Sequence, residues 1–192
     1  MGSPSNWWAH RFGRIFPRTV LETLRLSLRR PEVSDADAIF ESYANDVLVT
    51  KYLSWPTHRR LDDTLAFIEF SDQEWAIWQT GPLLVESKAS GEIIGSTGLS
   101  LQTPYRASTG YVFAQDAWGL GYASEVLQAM LNLAQSMQLA RVDALVHYQH
   151  QASARVLEKC GFALEGRMRR HTLFPNLDAH TPQDVLLYAY VW

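Results

Sequence analysis

Two glycines between a strand-like segment and a helix-like segment are the residues whose spacing most clearly indicates chemistry. The segment from Val112 to Ala114 is apolar, Gly119 and Gly121 follow it, and an amphipathic pattern begins near Tyr122. A residue without a Cβ lets the backbone turn sharply and come close to a ligand. The first turn of a helix offers unpaired N–H groups and the positive end of the helix dipole. The spacing therefore predicts a loop that binds a phosphate or pyrophosphate.

Two glycines alone are weak evidence, because a tight turn explains them equally well. The sequence contains neither the Gly-x-x-x-x-Gly-Lys-Ser/Thr pattern of nucleoside triphosphatases nor the Gly-x-Gly-x-x-Gly pattern that opens dinucleotide-binding folds. Those two classes are therefore disfavoured. A nucleotide-binding protein of another kind stays open as an alternative.

Composition limits the class of protein. The chain has 192 residues, of which 47% are hydrophobic and 19% charged, a length and composition that suit one globular domain. A formal net charge of −3 gives no case for binding nucleic acid or a membrane surface, and no apolar run approaches the roughly 20 residues of a membrane-spanning helix. The single cysteine, Cys160, cannot form an internal disulfide, so we expect a reducing, cytoplasmic compartment.

The first eighteen residues differ from the rest. Residues 1–18 contain no acid, and Arg11, Arg14 and Arg18 alternate with aromatic and aliphatic residues. We interpret this segment as an aromatic and basic extension outside a domain that spans 19–192. It either packs onto its own domain or a second subunit, or binds a partner or membrane surface.

The elements that must position the loop follow from hydrophobic periodicity. Leu24, Leu26 and Leu28 alternate with polar residues, which is typical of a half-buried strand. The same analysis predicts helices at 34–45, 61–78, 123–137 and 152–159, and strands at 24–29, 83–85, 93–99, 109–114, 142–148, 163–167 and 185–191. The strand, helix and strand within 109–148 form a crossover, which requires parallel strands, whereas the hairpin before it is antiparallel. The predicted fold class is α/β with a mixed sheet (an α+β mixed sheet), and 174–182 is predicted to be a loop.

A second segment follows the strand at 142–148 directly. It contains Ala152-Ser153, the run Arg155 to Lys159, and Gly161-Phe162. Together with the run Trp118 to Glu125, this segment resembles the GNAT superfamily of acetyl-CoA-dependent N-acetyltransferases, and more narrowly its RimJ/RimL-type branch. Other matches fall in the same order, so that the resemblance covers the chain from about Val20 to the C-terminus: Thr23 to Arg29, Trp55-Pro56, Ile93 to Leu99, Gly110-Tyr111 and Glu165 to Arg167.

The resemblance implies a GNAT-like fold, a single domain with a splayed central sheet flanked by helices. The gap would open between the strands at 109–114 and 142–148, and the pantetheine arm of CoA would pair with the first of them. Backbone groups of Val112, Phe113 and Ala114 would make that pairing. The pyrophosphate would lie on the glycine loop and the first turn of the helix, formed by Trp118, Gly119, Leu120, Gly121, Tyr122, Ala123 and Ser124.

Two departures from the family pattern concern the reaction. The Asn that usually contacts the pantetheine arm is His150 here, which either replaces that hydrogen bond or has a capping or packing role. The Tyr that often protonates the leaving thiolate is Leu157. Resemblance to the RimL type makes Ser153 the candidate catalytic residue, donating to the thiolate. A serine that satisfies backbone donors in the first helical turn is the alternative.

The sequence identifies neither a metal site nor a general base. His147 and His150 are three apart, and on a strand such residues face opposite sides, so they cannot easily share an ion. Glu125 is expected to support the glycine loop rather than to remove protons. Glu86, Glu92 and Asp184 occupy no decisive position as bases, and a base that acts through water stays open.

The predicted activity is direct transfer of acetyl from acetyl-CoA to an amine in a ternary complex. The expected acceptor is a protein N-terminal α-amine, and the expected oligomeric state is a monomer or homodimer. Polyamines and aminoglycosides stay open as acceptors. A CoA-binding sensor or interaction module that has lost catalysis is an alternative of a different class.

Overall fold

The computed structural model describes residues 21–192, so the extension predicted at 1–18 lies outside the described residues. Eight strands form one sheet there: β1 (Leu21–Glu22), β2 (Leu26–Arg29), β3 (Pro82–Ser87), β4 (Ile93–Thr103), β5 (Arg106–Phe113), β6 (Arg141–His147), β7 (Ala163–Phe174) and β8 (Asp178–Val191). Four α-helices accompany it: α1 (Ala36–Ile39), which continues into the π-helical segment Phe40–Ala44, α2 (Leu61–Trp78), α3 (Tyr122–Ser136) and α4 (Gln151–Lys159).

The sheet is mixed, as predicted, and its strand order is β1-β2-β3-β4-β5-β6-β8-β7. Neighbouring strands are antiparallel except β5 and β6, which α3 connects as a parallel crossover. The parallel pairing is short, because only 106–108 of β5 pair with 141–143 of β6. Beyond Ser108 the two strands separate, while β6 stays paired with β8 along its whole length. The predicted splay of the central sheet is therefore confirmed.

Helices cover the sheet on both faces, because neighbouring residues of its central strands are buried on opposite sides. Leu83 and Val85 belong to one core with α3 and α4, whereas Leu84 belongs to a second core with α1 and α2. The helical stripe predicted for 123–137 is the inner face of α3, where Val126, Leu127, Met130, Leu131 and Ala134 are buried. No helix within residues 21–192 combines the length and the apolar character needed to span a membrane.

Two predictions of secondary structure are wrong in detail. The first long strand begins at Leu26 rather than Leu24, since Leu24 is 89% exposed in a turn closed by the bond from Thr23 N–H to the Leu26 carbonyl. The predicted loop at 174–182 is mostly strand, because β7 and β8 continue as a long hairpin. Most residues of β7 are exposed, so its sequence carries no clear alternation of apolar and polar residues.

Candidate active site

A cleft of about 510 Å³ opens where β5 and β6 diverge. Both strands contribute to its walls, with Tyr111 and Val112 on one side and Ala144 and Val146 on the other. The segments 52–55 and 81–82, part of β4, two residues of α2, part of α4, the end of β7 and Val185 of β8 complete the lining. The crossover thus creates the cleft, because strands that part after three residue pairs leave a gap in the sheet.

The glycine loop, residues 118–121, follows β5 after the short 3-10 turn Gln115–Ala117, beyond the residues of that strand that line the cleft. Gly119 and Gly121 have φ of 74° and 83°, in the left-handed region that residues with a Cβ rarely adopt. A Cβ at Gly119 would meet nothing within 4 Å, so its conformation and not its packing requires glycine. Gly121 is the N-cap residue of α3, and no side chain caps that helix.

The loop and the first turn of α3 present free backbone donors. Trp118 N–H donates to the Gln115 carbonyl, and Glu125 N–H is the next in sequence with a partner at the helix start, the Gly121 carbonyl. Among residues 21–192, no acceptor binds the N–H groups of Gly119, Gly121 or Tyr122. Because these donors lie together at the positive end of a helix dipole, the geometry fits a diphosphate.

A cation and a carboxylate hold the loop against the first strands. Arg25 Nη1 donates to the Leu120 carbonyl at 2.9 Å, and Arg25 Nε donates to Glu125 Oε2 at 2.7 Å. Glu125 Oε1 accepts from the Thr23 hydroxyl at 2.6 Å and from Arg25 N–H at 2.8 Å. The guanidinium also lies 4.4 Å from the centre of the Tyr122 ring. These contacts agree with a supporting role for Glu125, and they place a positive charge beside the loop.

Only part of the predicted backbone pairing at β5 is available to a ligand. Ala114 N–H donates to the Ile94 carbonyl at 2.9 Å, and the Ala114 carbonyl accepts from Ala117 N–H. The prediction that Ala114 offers free backbone groups is therefore wrong. Since alternate residues of a strand bond to opposite neighbours, Val112 is directed towards β4 like Ala114, and Phe113 and Tyr111 are directed towards the open edge.

Trp118 lies at that edge. Its indole Nε1 donates to the Phe113 carbonyl at 2.7 Å, while its side chain is 50% exposed. The Phe113 carbonyl is thereby used inside the protein. Ala123 and Tyr122 pack against the core below the loop, whereas Leu120 is exposed. The Ser124 carbonyl is approached by the thiol of Cys160 at 3.7 Å, on the side of α3 that packs against α4.

Ser153 faces the cleft in the first turn of α4. Its Oγ lies 3.0 Å from the Tyr111 hydroxyl, which is also 3.3 Å from the Ser153 carbonyl. Burial raises the pKa of Tyr111 to about 12, against a smaller lowering by the bond with Ser153. Tyr111 therefore stays protonated at neutral pH and can keep a hydroxyl donor beside Ser153. The tyrosine was not singled out as a site residue from the sequence.

His147 and His150 lie on the same side of the cleft, contrary to the sequence interpretation. Each ring stacks on Tyr52 with a centroid distance of 4.8 Å. The interpretation assumed one continuous strand, but β6 ends at His147 and a turn brings His150 back. His150 is the N-cap residue of α4 and makes no side-chain cap, so the capping alternative is wrong. Within residues 21–192, no three potential ligand side chains are grouped to hold a metal ion.

The segment before α2 and α2 itself supply further lining residues, of which Tyr52, Phe70 and Glu74 were not singled out from the sequence. Tyr52, Trp55 and Phe70 are aromatic, and Glu74 is the one carboxylate among the described lining residues. The hydrophobic pattern around each of these residues predicts a helix or a turn. It does not indicate which side chains face the cleft. Their contribution depends on long-range packing across the sheet.

The structure combines a splayed sheet, a cleft between β5 and β6 and a glycine loop at the start of α3, and comparison with known proteins identifies the family. Residues 25–163 match the family described as Acetyltransferase (GNAT) domain. The chain belongs to the GNAT family, and it is an acetyl-CoA-dependent acetyltransferase.

Individual relatives agree with this assignment. The uncharacterized N-acetyltransferase YoaA of Bacillus subtilis is 31% identical over 185 residues, covering 92% of this chain and 98% of YoaA. A GNAT-family acetyltransferase from Bacillus anthracis has a TM-score of 0.77 at 25% identity, covering 90% of this chain and 98% of its own. RimL, a ribosomal L7/L12 alpha-N-protein acetyltransferase solved with coenzyme A, has a TM-score of 0.77 at 22% identity, covering 90% and 97%. At that identity, the likeness to RimL concerns the fold.

Proposed function

We propose that this acetyltransferase acts on an acceptor with one cationic amine, and that the acceptor is the α-amine of a protein or peptide N-terminus. The observation that carries the proposal is the charge of the cleft. Glu74 is the one carboxylate among the described lining residues, and no lysine or arginine accompanies it there. The aromatic rings of Tyr52, Trp55 and Phe70 and several hydroxyl groups form much of the remaining wall.

A single carboxylate discriminates between acceptor classes. Polyamines and aminoglycosides carry several ammonium groups, each of which loses hydration on entering a cleft and needs an anionic partner in return. A peptide N-terminus brings one ammonium, which Glu74 can attract, followed by a neutral backbone that the hydroxyl groups can bind. RimL, which shares the fold, is described as an alpha-N-protein acetyltransferase.

The cosubstrate would be held by backbone groups at two places. The N–H groups of Gly119, Gly121, Tyr122 and Ala123 would bind the diphosphate, and Arg25 would add a positive charge beside it. The open edge of β5, with the backbone groups of Tyr111 and the N–H of Phe113, would pair with the pantetheine arm, since the Phe113 carbonyl accepts from Trp118. Leu120 and Ser124, whose N–H groups also have no acceptor among the described residues, would add donors at either side of that set, and Val112 and Trp118 would contribute surface. Acetyl-CoA supplies an activated acyl group with a thiolate leaving group.

The side chains of the cleft would act on protons at the two reacting ends. The acceptor must lose a proton before its nitrogen attacks, since α-amines have pKa values of about 7.7–8.0. Ser153 would donate its hydroxyl proton, or a hydrogen bond, to the departing sulfur, and Tyr111 at 3.0 Å would support that donor. This pair stands in for the tyrosine that Leu157 replaces.

The test is an acceptor screen with two readouts. Release of free CoA and the mass of the product would be measured with N-terminal peptides, spermidine and an aminoglycoside, and CoA binding would be measured by calorimetry. Acetylation of the peptide α-amine in preference to the polycations supports the proposal. Preference for the polycations overturns the acceptor assignment. CoA binding with no transfer to any amine supports the sensor alternative instead.

A further inference from the structure

The ring nitrogens of His150 form no hydrogen bond with the described chain. Its ring lines the cleft and stacks on Tyr52, and no hydrogen bond joins either ring nitrogen to another residue within 21–192. Ser153, three residues further along α4, lines the same cleft. The imidazole is thus placed on the same short stretch of chain as the proposed thiolate donor, with free nitrogens.

His147 cannot serve in its place, although it lies beside the same tyrosine. Its Nδ1 accepts the N–H of Gln149 at 3.2 Å, which leaves the proton on Nε2 to be donated to Gln183 Oε1 at 2.9 Å. The residue is only 1% exposed. Both nitrogens of His147 are committed, so the ring is a fixed support for Tyr52.

We propose that His150 is the general base of the acetyl transfer, the group that removes the proton from the acceptor ammonium before attack. The proposal rests on the proposed function, and it assigns the proton-removal step, for which the sequence analysis identified no residue in a decisive position. Transfer of this proton to a free ring nitrogen produces an uncharged amine inside the cleft. The base then releases the proton to solvent.

The proton and bond balance of the reaction closes with these groups. The ammonium gives one proton to His150, the amine nitrogen forms a bond to the acetyl carbon, and the carbon–sulfur bond breaks. The sulfur leaves with the electron pair and receives the hydroxyl proton of Ser153, and the proton that the acceptor nitrogen loses on forming the amide restores that hydroxyl. The products are the N-acetylated acceptor, CoA thiol and one proton released to solvent.

The surroundings of His150 keep it neutral. On the helix side, the positive end of the α4 dipole disfavours an imidazolium. The titratable or charged groups around it on neighbouring elements are His147 at the end of β6, Tyr52 with Lys51 5.1 Å from its ring, Tyr111 beside Ser153, and Glu74 on the wall formed by α2. Burial, and to a lesser degree His147, lower the pKa of His150 below its ordinary value of 6.5. His150 is therefore in the neutral form that a general base must have at pH 7.

The decisive variant is His150→Asn, which restores the amide that the family usually carries and removes only the titrating group. We expect kcat for a peptide amine to fall about 100-fold or more at pH 7, the size typical of a lost general base. The affinity for CoA by calorimetry stays within about two-fold in the same variant. We expect the wild-type pH profile of kcat to show an ionisation below pH 6.5, and the profile of His150→Asn to lack it. His180→Asn, which changes an exposed histidine of β8, leaves rate and profile unchanged.

Each outcome bears on the proposal. Histidine NMR titration of the wild type should show the His150 ring titrating below pH 6.5 and shifting when peptide is added to the CoA complex. A His150→Asn enzyme with the wild-type rate and pH profile overturns the assignment of His150 alone. A wild type that binds CoA and acetylates no amine contradicts the proposed function and this assignment together.

Discussion

Gly121 lies in the left-handed region at φ 83° directly before α3, and the N–H groups of 122–124 have no acceptor within the described part of the chain. Gly121→Val adds a Cβ at the loop surface and strains this conformation by about 1–2 kcal/mol. We expect CoA binding to be lost, because relaxation of the strain moves the amides out of their common direction. Calorimetry with CoA, together with urea unfolding, measures both effects.

Gly91 provides a matched control for that variant. It has a similar φ of 75°, and a Cβ there would meet nothing within 4 Å, but it lies in the turn between β3 and β4. Gly91→Val should cost similar stability and leave CoA affinity unchanged. Equal loss of affinity in both variants would attribute the effect to general destabilisation and remove the loop from the binding site.

Ser153→Ala tests the proposed thiolate donor. Removing the hydroxyl leaves the Tyr111 hydroxyl without the partner at 3.0 Å but changes no backbone donor of the loop. Turnover should fall about 10–100-fold, with CoA affinity nearly unchanged. Steady-state kinetics and calorimetry separate the two quantities. Full activity of the alanine variant would exclude a catalytic role for Ser153.

Among the secondary-structure elements, one carboxylate joins α3 to the turn between β1 and β2: Glu125 accepts hydrogen bonds from Thr23 and Arg25. Burial raises the pKa of Glu125, but the bonds from Thr23 and Arg25 outweigh it and hold the pKa below its ordinary value of 4.5. Glu125→Gln should destabilise the fold by about 1 kcal/mol. This figure is the contribution of a hydrogen bond to a charged group, reduced because Arg25 is partly exposed to solvent. It should also weaken CoA binding, since Arg25 no longer holds the Leu120 carbonyl firmly. Urea unfolding with and without CoA measures both.

The sign of the pH dependence follows from the lowered pKa. The stabilisation by Glu125 is complete above the ordinary value of 4.5 and is lost as pH falls through the lower pKa of the folded state. The difference in stability between wild type and Glu125→Gln should therefore shrink in acid. Glu22→Gln is the control, because its pair with Lys88 is exposed and contributes little. Equal effects of the two variants would contradict the clamping role of Glu125.

Helices and strands were predictable from the sequence where one of their faces is buried. The stripe on α3 and the alternation in β2 identify their elements, because burial selects apolar residues at the period of the structure. The hairpin of β7 and β8 lacked this signal, since most side chains of β7 are exposed and pairing between the two strands holds them together. The loop predicted at 174–182 was wrong for that reason.

The site was predictable only where local geometry demands a residue type. Gly119 and Gly121 are required by positive φ, and Ser153 by its place in a recognised motif. Tyr52 and Glu74 reach the cleft through packing across the sheet, which no spacing within their own segments reports. The position of His150 depends on a turn that strand periodicity cannot describe.

In the molecule as a whole, the parts of the sheet before and after the gap meet at three residue pairs of β5 and β6. A ligand in the gap would bridge them. We expect CoA to slow hydrogen exchange in peptides covering 109–123, which contain the open edge of β5 and the start of α3. Peptides from β7 should exchange at their unliganded rate. Protection that is uniform over the chain, measured by mass spectrometry, would contradict local bridging at this gap.

Trp118 gives this architecture an optical property of its own. Its indole is tied to the Phe113 carbonyl at the end of β5 and yet half of its surface meets solvent. The emission of such an indole depends on the polarity of its surroundings and on nearby quenchers. A change in emission would therefore report CoA binding at the loop without any label. Trp118 is thus an intrinsic fluorescent probe, and cosubstrate binding can be titrated by fluorescence before the acceptor is known.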